Sequence, residues 1–236
     1  MVAIVILHGW GSEIEKWNPF KKELEKAGFE VFLPHLPGFG QADPSQQAWS
    51  VSDYAQWVKN KTLPENYFLI GHSFGGRIAI KLASENPKNL KGLILINSAG
   101  IKPKNSLKRV FFLVLAKMGK LFFDLPPFLF FKDFSRKILY KLAREKDYYQ
   151  AKGVMRKTMK KVIGEDLKKD LKRIKIPTLI LWGERDSLTP LADGELMNRL
   201  ISGSSLLIFS KANHSLPLKM PEEVAQEIVK FIREVK

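Results

Sequence analysis

The stretch YFLIGHSFGGRIAIKLASEN, Tyr67 to Asn86, decides how this chain is read. An apolar run, Tyr67–Ile70, passes through the turn GHSFGG, Gly71–Gly76, into RIAIKLASEN, a helical run. A strand that turns sharply into a helix is the building unit of an α/β sheet. In that setting G-x-S-x-G has a mechanical reason. Glycines two before and two after the serine let the backbone pack closely and hold Ser73 on a strained turn with its hydroxyl exposed. The same five letters occur in turns without chemistry, so the flanking strand and helix carry the argument.

Outward from this turn the pattern repeats. Ala3–Leu7, Glu30–Leu33, Gly92–Ile96, Thr178–Leu181 and Leu206–Phe209 are further short apolar runs, with no polar alternation. Such runs fit strands buried on both faces, as in a parallel sheet covered by helices. Helix signals lie between them: Asn18 as N-cap before Pro19 with Gly28 at the close, Thr189 before Pro190, and Pro221-Glu222-Glu223 opening a last helix whose Val224, Ile228 and Phe231 share a face. The spacing predicts a doubly wound, mostly parallel α/β sheet of about six strands with right-handed crossovers.

A length of 236 residues suits one such domain with an insertion, and 45% hydrophobic with 27% charged residues is ordinary globular usage. There is no cysteine, which excludes disulfides, thiolate metal sites and thiol nucleophiles, and four histidines are few for a metal cage. The net charge of +15 is not spread evenly: residues 101–177 hold 22 basic and 7 acidic side chains, the whole excess. Residues 1–100 and 166–236 are expected to form the α/β core. Residues 101–165 read as a helical, Lys/Phe-rich insertion, strongest over Ser106–Phe123 and Lys132–Arg144 and broken by Leu125-Pro126-Pro127. The start, MVAIVILHGWG, lacks a basic leader and its apolar run is too short to span a bilayer, so a soluble, cytoplasmic protein is expected.

A serine hydroxyl needs a base, usually a histidine whose tautomer a carboxylate holds. His214, in KANHSLP beyond the run Leu206–Phe209, sits where the carboxyl edge of the sheet is expected, the edge where such folds bind ligands. His8, His35 and His72 are its rivals, and all three precede any plausible acid in the chain. Asp186, in LWGERDSLTP, is the acid candidate, with Glu184 and Asp193 as nearby alternatives.

The order Ser73, Asp186, His214, each in a loop after a different strand, resembles the α/β-hydrolase fold family over nearly the whole chain. In that family HGWG, His8–Gly11, is similar to the oxyanion loop, which implies that the backbone N–H groups of Trp10 and Phe74 pair on a carbonyl oxygen. LPGFGQAD, Leu36–Asp43, is similar to the family's next loop, and the helical insertion to its substrate-selecting cap. Two departures stand out. The family's N-terminal hairpin is missing, leaving about six strands for eight, and His35 replaces the usual aspartate before the LPG turn. Arg77, after the turn, is read as a structural ion-pair partner rather than a substrate ligand.

The resemblance implies a serine hydrolase of carboxylic esters working through an acyl-enzyme on a small-molecule ester, with no metal and no cofactor, and with Phe112 and Phe123 lining an apolar acyl pocket. Carbon–carbon hydrolases of ring-cleavage products, thioesterases and lactonases share the layout. The first of these typically carry asparagine before the serine, where this chain has His72. A non-catalytic binding protein on the same fold is the other alternative. No nucleic acid is expected as partner, because lysine outnumbers arginine 17 to 5 in the basic block and specific readout leans on arginine. Basic residues among phenylalanines suit a weak contact with an anionic membrane surface.

Overall fold

The computed structural model describes residues 2–61, 63–102 and 151–235. The predicted helices Ser106–Phe123 and Lys132–Arg144, with Phe112 and Phe123, lie outside the described residues. In chain order the elements are β1 (Ala3–Leu7), a 3-10 turn (Ile14–Trp17), α1 (Asn18–Lys26), β2 (Glu30–Phe32), α2 (Val51–Lys59), β3 (Tyr67–His72), α3 (Phe74–Ala83) and β4 (Leu90–Ile96). They continue with α4 (Gly153–Gly164), α5 (Lys168–Leu171), β5 (Thr178–Gly183), α6 (Leu191–Leu200), β6 (Ser205–Phe209), α7 (Leu216–Lys219) and α8 (Pro221–Val235).

The strands form one six-stranded sheet in the order β2-β1-β3-β4-β5-β6, with every pair parallel. Because successive side chains alternate faces, each central strand feeds two cores. Val5, Leu69, Leu95 and Trp182 pack on one face with α2, α3 and Met197 of α6; Ile4, Ile6, Phe68, Ile70, Ile94 and Leu181 pack on the other with α1 and α8. This is why the runs are apolar without alternation. The edge strands are less covered, and Phe32 and Ile208 are exposed there. β4 starts earlier than expected, since a register shift between Tyr67 and Phe68 pairs Leu90 with Tyr67 and Gly92 with Phe68.

Helix ends correct two expectations. Asn18 has helical backbone inside α1, and Trp17 occupies the N-cap without a side-chain bond. Thr189 caps nothing; Pro190 precedes α6. On α8, Val224 and Ile228 do share a face with Phe231: the first two are buried with Ala225 and Ile232, and Phe231 packs partly buried against the same core, edge-on to Phe68 at 6.3 Å. Gly28 does close α1: its φ of 90° lets its N–H reach the Glu25 carbonyl and that of Phe29 reach Leu24.

Contacts divide the chain into two units, Met1–Ile101 with Gly153–Lys236, and Lys102–Lys152. They count α4 with the sheet: Thr158, Met159 and Val162 are buried, and the Thr158 hydroxyl accepts from the Trp49 N–H at 3.1 Å. Nearby, the Leu167 N–H donates to the Gly100 carbonyl at 2.9 Å. No described helix is long and apolar enough to cross a membrane.

The sequence reading did not mark α2, whose start is a capping box. The Asp53 N–H donates to Ser50 Oγ, and the Ser50 N–H to Asp53 Oδ2 at 2.6 Å. Hydrogen bonds from Ser50 hold the Asp53 carboxyl below its ordinary range. A carboxyl depressed on folding stabilises above its unfolded pKa and loses that contribution as pH falls through the folded value. Ser50→Ala is expected to cost about 1 kcal/mol in urea unfolding at pH 7, with a smaller difference below about pH 4.

Candidate active site

Five loops at the carboxyl ends of β1, β3, β4, β5 and β6 supply the site. After β3, Ser73 adopts φ 53° and ψ −116°, a region that costs a side chain of order 1–3 kcal/mol. The surroundings hold it there. A Cβ on Gly75 would overlap the Leu7 carbonyl of β1, and one on Gly76 would overlap the Ser98 hydroxyl. One on Gly71 would stand 2.7 Å from Ala79 Cβ, so only glycine lets strand and helix meet this closely. The Ser73 carbonyl accepts from the Gly76 and Ala99 N–H groups, both at 3.0 Å.

His214 brings the two other candidates together. Its Nε2 lies 2.9 Å from Ser73 Oγ and its Nδ1 2.7 Å from Asp186 Oδ2. Asp186 accepts only, so Nδ1 carries the proton and Nε2 presents its lone pair to the serine hydroxyl. Asp186 Oδ1 also accepts from the N–H groups of Leu188 (2.8 Å) and Thr189 (3.0 Å), and Oδ2 from the Thr189 hydroxyl at 2.7 Å. Burial by itself would raise the Asp186 carboxyl; hydrogen bonds from His214 and Thr189 outweigh it and hold the group below its ordinary range. Among the rivals, Glu184 accepts from the Lys211 N–H at 3.2 Å, and burial raises Asp193.

Trp10 and Phe74 meet with ring centroids 5.1 Å apart at 73°. Phe74 opens α3, where first-turn N–H groups have no intrahelical partner and the helix dipole is positive. Among the described residues neither the Trp10 nor the Phe74 N–H has a hydrogen-bond partner. Phe39 packs on Trp10 at 4.8 Å, giving the site an aromatic wall.

The remaining histidines act as ties between backbone segments. His8, buried, accepts the Leu36 N–H at Nε2 (3.3 Å), joining the HGWG turn to the LPGF loop. His72, also buried, donates from Nε2 to the His214 carbonyl at 2.8 Å and makes no bond to Ser73. His35 Nδ1 accepts from the Gln41 N–H at 3.4 Å. Arg77 is buried and donates from Nη1 to the Glu165 carbonyl at 2.9 Å; burial pushes it down to about 10, against the pull of Glu165, Asp166 and Asp193.

Residues 2–221 match the family model described as the alpha/beta hydrolase fold. The chain belongs to the α/β hydrolase fold family. This α/β hydrolase is 31% identical to a pimeloyl-[acyl-carrier protein] methyl ester esterase of Pseudoalteromonas atlantica, covering 89% of this chain and 86% of the relative. It is 30% identical to the AB hydrolase superfamily protein YisY of Bacillus subtilis, over 97% of this chain and 90% of that one. Among solved structures, a bacterial membrane phospholipase A aligns with a TM-score of 0.74 and 26% identity over 99% of this chain and 79% of its own.

Sequence reading missed three residues of this α/β hydrolase. Thr189, read as a helix start, holds Asp186. Asn97, buried with φ 43°, donates from Nδ2 to the Asn213 carbonyl and accepts the Gly183 N–H at Oδ1, both at 2.8 Å, linking the loops after β4, β5 and β6. His72 grips the loop of His214.

Burial, then the neighbouring His214, push His72 down to about 3. A histidine depressed on folding leaves stability intact above its unfolded pKa, about 6.5, and drains it as pH falls toward the folded value, because only the unfolded chain takes the proton. His72→Gln is therefore expected to reduce the loss of unfolding free energy between about pH 6 and 4 by up to ~1.4 kcal/mol per pH unit. Urea titrations of both proteins at the two pH values measure it.

Proposed function

We propose that this protein is a serine hydrolase of carboxylic esters that works through an acyl-enzyme. The observation that carries the reading is the unbroken hydrogen-bond chain from Ser73 Oγ through the His214 ring to Asp186. Ser73 Oγ attacks the ester carbonyl carbon while its proton passes to His214 Nε2. Asp186 holds the ring in the required tautomer and stabilises the imidazolium. The Trp10 and Phe74 N–H groups receive the oxyanion. The tetrahedral adduct then expels the alcohol, which takes the proton from His214. Water repeats the sequence on the acyl-enzyme, giving up a proton to His214, and releases the acid with Ser73 restored.

The esterase and phospholipase names among the relatives support an ester substrate. His72 at the position before the serine, 5% exposed, supports it over carbon–carbon cleavage. Phe112 and Phe123 of the insertion are proposed, from the sequence alone, to line an apolar acyl pocket.

Ser73→Ala is expected to abolish hydrolysis of p-nitrophenyl esters with the fold intact, and a fluorophosphonate should leave a single mass adduct, on Ser73. An equal adduct elsewhere overturns the nucleophile. Asp186→Asn is expected to lower kcat roughly 10³- to 10⁴-fold, against less than about twofold for Glu184→Gln; the reverse moves the acid to Glu184. Phe112→Ala or Phe123→Ala is expected to alter preference along a series of acyl chain lengths by about 0.8 kcal/mol per methylene, and to leave acetyl ester turnover nearly unchanged.

A further inference from the structure

We propose that His72 is a positioning residue, whose hydrogen bond to the His214 backbone carbonyl sets the base in register with the serine it activates. The inference rests on the serine-hydrolase reading and adds to it a residue that touches neither the serine hydroxyl nor the acid.

His214 has to satisfy two partners at once, Ser73 Oγ at 2.9 Å and Asp186 Oδ2 at 2.7 Å, on opposite corners of one ring. Two side-chain torsions meet both only if the backbone of residue 214 is fixed in space. That backbone lies in the short loop Ser210–Ser215 between β6 and α7. Two side chains from other strands grip its carbonyls: Asn97 Nδ2 holds that of Asn213 at 2.8 Å, and His72 Nε2 that of His214 at 2.8 Å. His72 is the residue immediately before the nucleophile, at the end of β3. The strand that carries Ser73 thus also holds the base, and any movement of one is passed to the other.

The His72 ring is itself constrained. It packs edge-on to Trp17 with centroids 5.4 Å apart and tilted against His214 at 5.0 Å. Gly9 lies against its other nitrogen, where a Cβ would stand 3.0 Å from Nδ1. A carbonyl accepts only, so Nε2 bears the proton; among the described residues Nδ1 has no partner. All of the ring's described hydrogen bonding is therefore spent on residue 214. The neutral form enforced by burial also spares the imidazolium of His214 a like charge alongside.

Phenylalanine keeps the ring volume and removes the donor; glutamine places an amide N–H near the position of Nε2. The experiment compares wild type, His72→Phe, His72→Gln and the more adaptable donor-free His72→Met. Folding is checked by circular dichroism, and kcat and KM are measured for p-nitrophenyl butyrate along with the fluorophosphonate labelling rate at Ser73. The expected result is a kcat lowered about 10- to 100-fold in Phe and Met, by analogy with the loss of outer partners that orient metal-ligating histidines. KM should stay within about twofold and labelling should slow in parallel, with Gln within about threefold of wild type. The downfield proton NMR signal of His214 Nδ1–H is expected in wild type and Gln and broadened in Phe and Met.

Wild-type rates in the donor-free variants, or a Gln variant as slow as Phe, overturn the proposal. If Phe and Met both fail to fold, the ¹⁵N shifts of the wild-type imidazoles decide: His72 protonated at Nδ1 rather than Nε2 overturns it, and the Nε2–H form with labelling of the Gln variant within about threefold of wild type sustains it. Absence of Ser73 labelling in wild type sinks the triad itself, whereas full labelling in both wild type and His72→Phe sinks only the tie.

Discussion

The backbone of one residue, Ser73, sits in a conformation that L-amino acids avoid, and the packing around it is arranged to keep it there. The strain is offset by contacts available only when Gly75 and Gly76 press their bare Cα atoms against the end of β1 and against Ser98 after β4. The position of the serine hydroxyl is therefore inseparable from the register of β1, β3 and β4. A slip between β1 and β3 or between β3 and β4 would carry the turn away from the groups it rests on.

From that point the site extends by hydrogen bonds between loops rather than by packing. Buried polar groups tend to be fully partnered, and here most of the ties join different strand ends. Asn97 joins the loops after β5 and β6, Thr189 fills the acceptor sites of Asp186, and His8 joins the first loop to the second. Such a network is worth more whole than in parts, because breaking one member leaves a buried group unpaired. The imidazoles of His8 and His72 are used as uncharged donors and acceptors, and only His214 is placed to exchange a proton with Ser73.

The fold was legible because burial on both faces writes a continuous apolar run into each central strand, as in Val2–Leu7 and Leu93–Ile96. Ser73, Asp186 and His214 were legible because chemistry fixes their residue types and the sheet fixes their order. Thr189, Asn97 and His72 were not, since their hydrogen bonds join residues that share no local period, and the same letters serve equally as caps, turns or filler. Asn18 and Thr189 show the limit of capping rules: a Pro follows each, yet neither side chain caps its helix, one being drawn into the helix and the other claimed by Asp186. The start of α2 was written in Ser50 and Asp53, three residues apart, but without glutamate the signal is weaker.

The bond from the Leu167 N–H to the Gly100 carbonyl, together with Arg77 on the Glu165 carbonyl, draws the chain leaving β4 and the chain approaching β5 together on the core side. A chain whose two ends are pinned to each other closes a loop, and the entropic cost of closure grows only with the logarithm of its length, about 0.6 kcal/mol for each doubling. The sheet thus carries little of the cost when the length between two such pinned ends changes, provided that the buried face of α4, Thr158, Met159 and Val162, is kept.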